Sequence, residues 1–174
     1  MTDSRRPRVV FFLVLLMVLC LAPSSNAYIR TIEGFVIQVS DGDTLTLETR
    51  AGTRVRLRLY GIDAPEMAKG TNSGQPYGEE ARWALAEKVL RKSVTLTVLE
   101  RDQYKRSVGI VLLGKRSINE EMVLEGWAWA YRRYLRGPYV SEYLNAEKAA
   151  RSKKRGLWQQ SNPQPPWEFR SGSR

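Results

Sequence analysis

The chain has 174 residues and a formal net charge of +10, room for one domain with a genuine core but not for two of ordinary size. It contains no histidine and a single cysteine, Cys20. This excludes Ser-His-Asp triads and histidine-bound metals, and leaves carboxylates and arginines to carry any acid–base or metal chemistry. A basic fold attracts polyanions, nucleic acid first and anionic membrane second, although charge alone serves solubility in many proteins.

Residues 1–27 read as an export signal. Arg5, Arg6 and Arg8 form a positive start, Val9 to Ala22 is an unbroken apolar run, Pro23 ends it, and Ser25-Asn26-Ala27 offers small residues for cleavage. The run is shorter than the roughly 20 residues that span a bilayer. The expected destination is therefore export, to the periplasm or beyond the cell. An uncleaved, membrane-anchored form is the alternative, and membrane contact is expected through this segment only. Cleavage after Ala27 would remove Cys20, excluding disulfides, thiolate zinc sites and a cysteine nucleophile. An oxygen-ligand site for a hard cation such as calcium or magnesium is the metal chemistry left.

Three strands are predicted next, over Thr31–Ser40, Thr44–Thr49 and Thr53–Tyr60. The third alternates, with Val55, Leu57 and Leu59 on one face and Arg54, Arg56 and Arg58 on the other. Asp41-Gly42 and Arg50-Ala51-Gly52 mark the turns between them. Met67–Gln75 is a polar loop. Glu79–Arg91 reads as a helix with acids at its start, bases at its end, and Ala81, Ala84, Leu85 and Val89 as its buried stripe. Val94–Leu99 and Ser107–Leu113 are two further strands. Asn119 is placed as the cap of a short helix over Glu120–Glu125, which Gly126 ends. Val140–Lys154 is a third helix. From Ser161 the chain reads as a proline-rich tail without a fold of its own. The expected architecture is α+β: a five-stranded OB-fold β-barrel with about three helices packed outside. Residues 28–160 would form the domain and 161–174 the tail.

Several short clusters could carry chemistry, and each alone is an ordinary surface feature. Asp41-Gly42-Asp43-Thr44 is a turn sequence, yet it places Asp43 as a metal ligand with Asp41 behind it. Asp63-Ala64-Pro65-Glu66 follows a strand and could bring Asp63 to the same cation. Arg58 lies five residues before Asp63, on the opposite face of a regular strand unless the chain bends at Gly61. Tyr104-Lys105-Arg106 stands at a strand entry, where Arg106 could clamp a phosphate. Residues 127–134 interleave aromatics with arginines, as surfaces that grip single-stranded nucleic acid do. Trp127 and Trp129 fit a core better, whereas Tyr131 and Tyr134 fit either role.

The order of these pieces is more specific than any one of them. DGDT, RLYGIDAPE, QPYGEEA, a Tyr-x-Arg strand entry, N-E-x-x-V-x-x-G, RGLW and PPWEFR follow one another over about residues 31–170. In this order the chain resembles the staphylococcal nuclease family. The resemblance implies an OB barrel and calcium-dependent hydrolysis of DNA and RNA, leaving 3′-phosphate and 5′-hydroxyl ends. It implies Asp43 and Asp63 as calcium ligands, with the backbone carbonyl of Ala64 and with Asp41 as an outer acid. Glu66 corresponds to the residue usually assigned as general base, and Arg58 and Arg106 to the phosphate-binding arginines. Tyr104 and Tyr131 correspond to residues of the nucleotide pocket. Lys105 departs from the glycine that the family often has before its second arginine. The departure puts the position of Arg106 in question and adds a cation that could help hold DNA. The substrate is expected to be preferentially single-stranded, the protein a monomer, and no protein partner is implied. The rival readings are a non-catalytic nucleic-acid-binding OB module and a basic protein of membrane surfaces.

Overall fold

A computed structural model of the chain describes residues 30–71 and 73–172. The segment read as an export signal lies outside them. Five long strands form the body: β1 (Arg30–Asp41), β2 (Thr44–Thr49), β3 (Arg54–Leu59), β5 (Ser93–Arg101) and β6 (Ser107–Leu113). Between β3 and β5 come a two-residue strand β4 (Ile62–Asp63) and helix α1 (Gly78–Val89). After β6 come β7 (Arg116–Ser117), α2 (Ile118–Leu124), β8 (Trp129–Ala130), α3 (Tyr139–Ser152), a 3₁₀ turn (Gly156–Gln159) and α4 (Pro166–Gly172).

The strands run β3-β2-β1-β5-β6, and a parallel pairing of β3 with β6 closes the ring into a five-stranded barrel. The alternation predicted for β3 holds. Leu57 and Leu59 are fully buried with Leu45, Leu47 and Leu96, while Arg54 and Arg56 face outward. Ala81, Leu85, Ala86 and Val89 of α1 pack inward, while Trp83 stands exposed on its outer face.

Two expectations are corrected, the cap of α2 and the tail without a fold of its own. Ser117, not Asn119, caps α2, accepting from the Glu120 N–H at 3.4 Å. Asn119 is completely buried instead. Its Oδ1 accepts from the Val111 N–H at 2.9 Å, and its Nδ2 donates to the carbonyls of Tyr60 (3.0 Å) and Gly109 (3.1 Å). A side-chain amide can serve three backbone groups at once, which a cap cannot. The helices number four among the described residues, in keeping with an α+β barrel with helices packed outside. The fourth is α4, inside the stretch read as an unfolded tail. Pro166 opens it, where a missing N–H costs nothing and the fixed φ already suits a helix.

Candidate active site

The front of the barrel is built from the β1–β2 turn, the C-terminal end of β3 and the short β4. Asp43 and Asp63 are buried there, at 4% and 0% exposure. Thr44 and Arg58 are cross-strand partners, so Arg58 emerges beside the β1–β2 turn. Its Nη1 donates to Asp43 Oδ1 at 3.0 Å and its Nη2 to Asp63 Oδ1 at 2.6 Å. Gly61 supplies the bend that the spacing of Arg58 and Asp63 demands. It has a φ of 72° and no room for a Cβ, which would meet Leu135 at 2.5 Å. Pairing of β4 with β8, with Asp63 opposite Trp129, then fixes Asp63 in place.

Asp43 is held on every side. Besides Arg58 it accepts from the Thr44 hydroxyl at 2.9 Å and the Ala64 N–H at 3.3 Å. Asp41 accepts from the Asp43 N–H at 3.2 Å, closing the turn, and its cation is Lys69 at 3.9 Å. Burial is the largest influence on all three acids. It pushes the Asp63 carboxyl up, helped by Asp43, against the pull of Arg170 and Arg58. It lifts Asp41 to about 7, reinforced by the charge and hydrogen bond of Asp43. At Asp43 burial is outweighed by Arg58 and by hydrogen bonds with Asp41, Thr44 and Ala64, so that carboxyl lies below its ordinary range.

Glu66 is positioned by Gln75. The Gln75 N–H donates to the Glu66 carbonyl at 2.8 Å, and Gln75 Oε1 accepts from the Glu66 N–H at 3.0 Å. The start of α1 lies so close that a Cβ on Gly78 would meet the Glu66 carbonyl oxygen at 2.4 Å. Across the cleft, Arg106 stands on the turn before β6. Its Nε donates to Asp102 Oδ2 at 2.6 Å, and its guanidinium lies 5.4 Å from the Tyr104 ring. Lys105 takes a φ of 61°, so the tight turn survives without a glycine and Arg106 still reaches the cleft.

Asp41, Asp43, Arg58, Ala64, Glu66, Tyr104, Arg106 and Tyr131 all line one open cleft of about 560 Å³. Asp63 lies wholly buried behind it. Lys105 is exposed on the rim turn and does not line the cleft. Trp129 belongs to a small core with Leu157 and Trp158, as expected of it, whereas Tyr134 is exposed at the cleft. Sequence reasoning missed Thr44, Gln75, Trp167 and above all Arg170. Arg170 donates to Asp63 Oδ2 at 2.7 Å and to Glu66 Oε1 at 2.5 Å. The PPWEFR motif was its one visible signal. Buried acids bound to guanidiniums in an open cleft suit an anionic ester that can exchange for them.

The fold and this cleft define a class, and comparison with known proteins agrees with it. The family model described as staphylococcal nuclease homologue matches residues 56–160. A micrococcal nuclease of Shigella flexneri is 39% identical over 150 residues, covering 81% of this chain and 82% of that protein. An uncharacterized endonuclease of Haemophilus influenzae is 38% identical over 135 residues, covering 78% and 71%. Another, from Escherichia coli O157:H7, is 38% identical over 141 residues, covering 80% and 85%. The chain belongs to the staphylococcal nuclease family. As a member it is an enzyme of the nuclease class, and its substrate is nucleic acid.

Proposed function

We propose that the protein is a calcium-dependent phosphodiesterase that cuts DNA and RNA, single strands in preference, into products with 3′-phosphate and 5′-hydroxyl ends. It acts as a monomer outside the cytoplasm, with residues 1–27 as its export signal. The observation that carries this reading is the bridging of Asp43 and Asp63 by Arg58 on the floor of a cleft that Arg106, Tyr104 and Tyr131 also line.

The donors available to a cation are all oxygens: the carboxylates of Asp43 and Asp63, the Ala64 carbonyl, and Asp41 behind them. Such a set fits a hard ion such as calcium. Among the described residues no group of three or more Asp, Glu, His or Cys side chains is gathered so that it could hold a metal. Asp43 and Asp63 would therefore share the ion with the backbone carbonyl and water. When bound, it polarises the phosphate and makes water more acidic.

The chain's own groups supply the rest. Arg58 and Arg106 bind the non-bridging oxygens and offset the charge that builds there as water attacks, the kind of preorganised stabilisation that usually contributes most. Glu66, fixed by Gln75, takes the proton of the attacking water. The new bond forms between water oxygen and phosphorus. The bond from phosphorus to the 5′ oxygen breaks, that oxygen takes a proton from solvent water as it leaves, and Glu66 afterwards returns its own proton to solvent. The phosphate stays on the 3′ side. Tyr104, 68% exposed, offers a ring face to an unpaired base, and Tyr131, whose ring is stacked on Trp167, lines the cleft beside it, which favours single strands.

The test is incubation of the purified chain with single-stranded DNA, in calcium and then in chelator. The expected result is calcium-dependent fragments ending in 3′-phosphate. Glu66→Gln should cut at no more than about a hundredth of the wild-type rate, within the usual worth of a general base. Undiminished cutting in chelator would remove calcium from the account. Undiminished cutting by the variant would remove Glu66 as the base.

A further inference from the structure

Arg170 reaches the acids from 107 residues away along the chain. Its Nη1 donates to Asp63 Oδ1 at 3.2 Å and to Glu66 Oε1 at 2.5 Å, and its Nη2 to Asp63 Oδ2 at 2.7 Å. With Arg58 also on Asp63 Oδ1, both oxygens of that carboxylate accept from guanidinium. The placement is built, not incidental. Trp167, one turn earlier in α4, stacks flat on the Tyr131 ring, 5.0 Å between centroids and 2° between planes. The same indole meets Trp129 edge-on at 5.6 Å. Gln75, which fixes the Glu66 backbone, also donates from Nε2 to the Gln164 carbonyl at 2.9 Å. One side chain thus ties the general-base candidate to the segment that delivers Arg170. The Arg170 side chain is still 37% exposed, so it can leave its partners without unpacking the helix.

We propose that Arg170 is the chain's own counter-ion for these acids. It is a positioning residue that holds Asp63 and Glu66 in the metal-free enzyme and yields Asp63 to a divalent cation. The inference rests on the calcium reading above. A paired guanidinium on Asp63 and an ion coordinated by Asp63 compete for the same lone pairs, so each weakens the other's hold. Release of Arg170 also uncovers Glu66, so a carboxylate that must accept a proton is masked until the cation is in place. The freed guanidinium, still tethered through Trp167, lines the cleft beside Tyr131. A substrate phosphate is then the anion nearest to hand.

Calcium titration by calorimetry, without substrate, tests this on the full chain, with Arg170→Met and Arg170→Lys beside the wild type. Losing charge-assisted, two-pronged contacts should tighten calcium binding by about tenfold in Arg170→Met. Arg170→Lys, a point charge without the fork, should fall between. Melting in chelator provides the second readout. Arg170→Met should melt below the wild type, and calcium should raise its Tm by more than it raises the wild type's. Equal or weaker calcium binding by both variants, with native circular dichroism, overturns the proposal. So does a Tm loss that calcium does not repair, which marks a merely structural residue. If neither wild type nor variants bind calcium, the calcium reading itself falls and the inference goes with it. Binding by the variants alone would support the inference in its strongest form.

Discussion

Arg58 and Arg106 face the same cleft and are held in opposite ways. Arg58 sits inside the barrel wall between two acids, Asp43 and Asp63, brought from different elements. Arg106 is held by one acid four residues away, and that acid also accepts the N–H groups of Tyr104 and Arg106 to shape the turn. One guanidinium is fixed by the electrostatics of the core, the other by a local turn. The difference teaches where rigidity comes from. A phosphate clamp can be a consequence of barrel closure on one side and of five residues of turn chemistry on the other.

Alanine replacement should separate the two most sharply. Arg58→Ala and Arg106→Ala should each lower the cutting rate at least about a hundredfold, since both remove charge stabilisation at the phosphate. Stability is expected to split them. Arg58→Ala leaves buried Asp43 without its guanidinium and Asp63 with Arg170 alone, and should lose about 3 kcal/mol in calcium-free urea unfolding. Arg106→Ala leaves Asp102 still accepting backbone N–H groups and should lose about 1 kcal/mol or less. Equal losses would mean that the two are held alike.

The same contrast explains what the sequence revealed. The wall was legible because strand alternation is short-range physics. Period two puts Arg54, Arg56 and Arg58 on one face, and Gly61 is the visible place for the bend that brings Arg58 to Asp63. The roles suggested for Glu66 and Arg106 came from the order of motifs, not from periodicity. Arg170 was illegible for a physical reason. Its partners lie more than 100 residues earlier, and its helix has seven residues, too few to be stable without docking. Nothing local in PPWEFR says that Trp167 will find the Tyr131 ring. Asn119 failed similarly. An asparagine before a helix reads as a cap, and only the closed barrel shows three backbone groups waiting for it.

Asp41 sharpens the comparison from the acid side, because it is the acid of the turn for which no bond to Arg58 is formed. Its folded pKa is raised to about 7 by burial and by Asp43. The native state therefore keeps a proton that the unfolded chain gives up near the ordinary carboxylate value of roughly 4. Asp41's contribution is full at acid pH and is lost as pH rises toward 7. Asp43, held below its ordinary range, contributes in the opposite sense, and its share is lost as pH falls below about 4. In calcium-free buffer, Asp41→Asn should flatten the decline in stability between pH 4 and 7. We expect the gain over the wild type to be on the order of 2 kcal/mol at pH 7.5, allowing for proton sharing with Asp43. Urea midpoints at pH 5 and 7.5 measure it. An unchanged slope would show that Asp41 titrates normally.

Lys105 offers the smallest effect and the finest test of the turn. A side chain at a φ of 61° carries a local penalty of roughly 1–2 kcal/mol that glycine avoids, although glycine gives back about half of that through the freer unfolded chain. Lys105→Gly should therefore stabilise by about 0.5–1 kcal/mol, visible as a rise in Tm of a few degrees. The maximal rate should stay within about twofold, because Arg106 already lines the cleft and already has its bond to Asp102. Loss of one exposed cation should raise KM for DNA a few-fold at low salt and leave it unchanged at high salt, as a screened contact to the phosphate backbone requires. A tenfold faster variant would mean that lysine holds Arg106 out of position, and the turn-held arginine would then be the misplaced half of the pair.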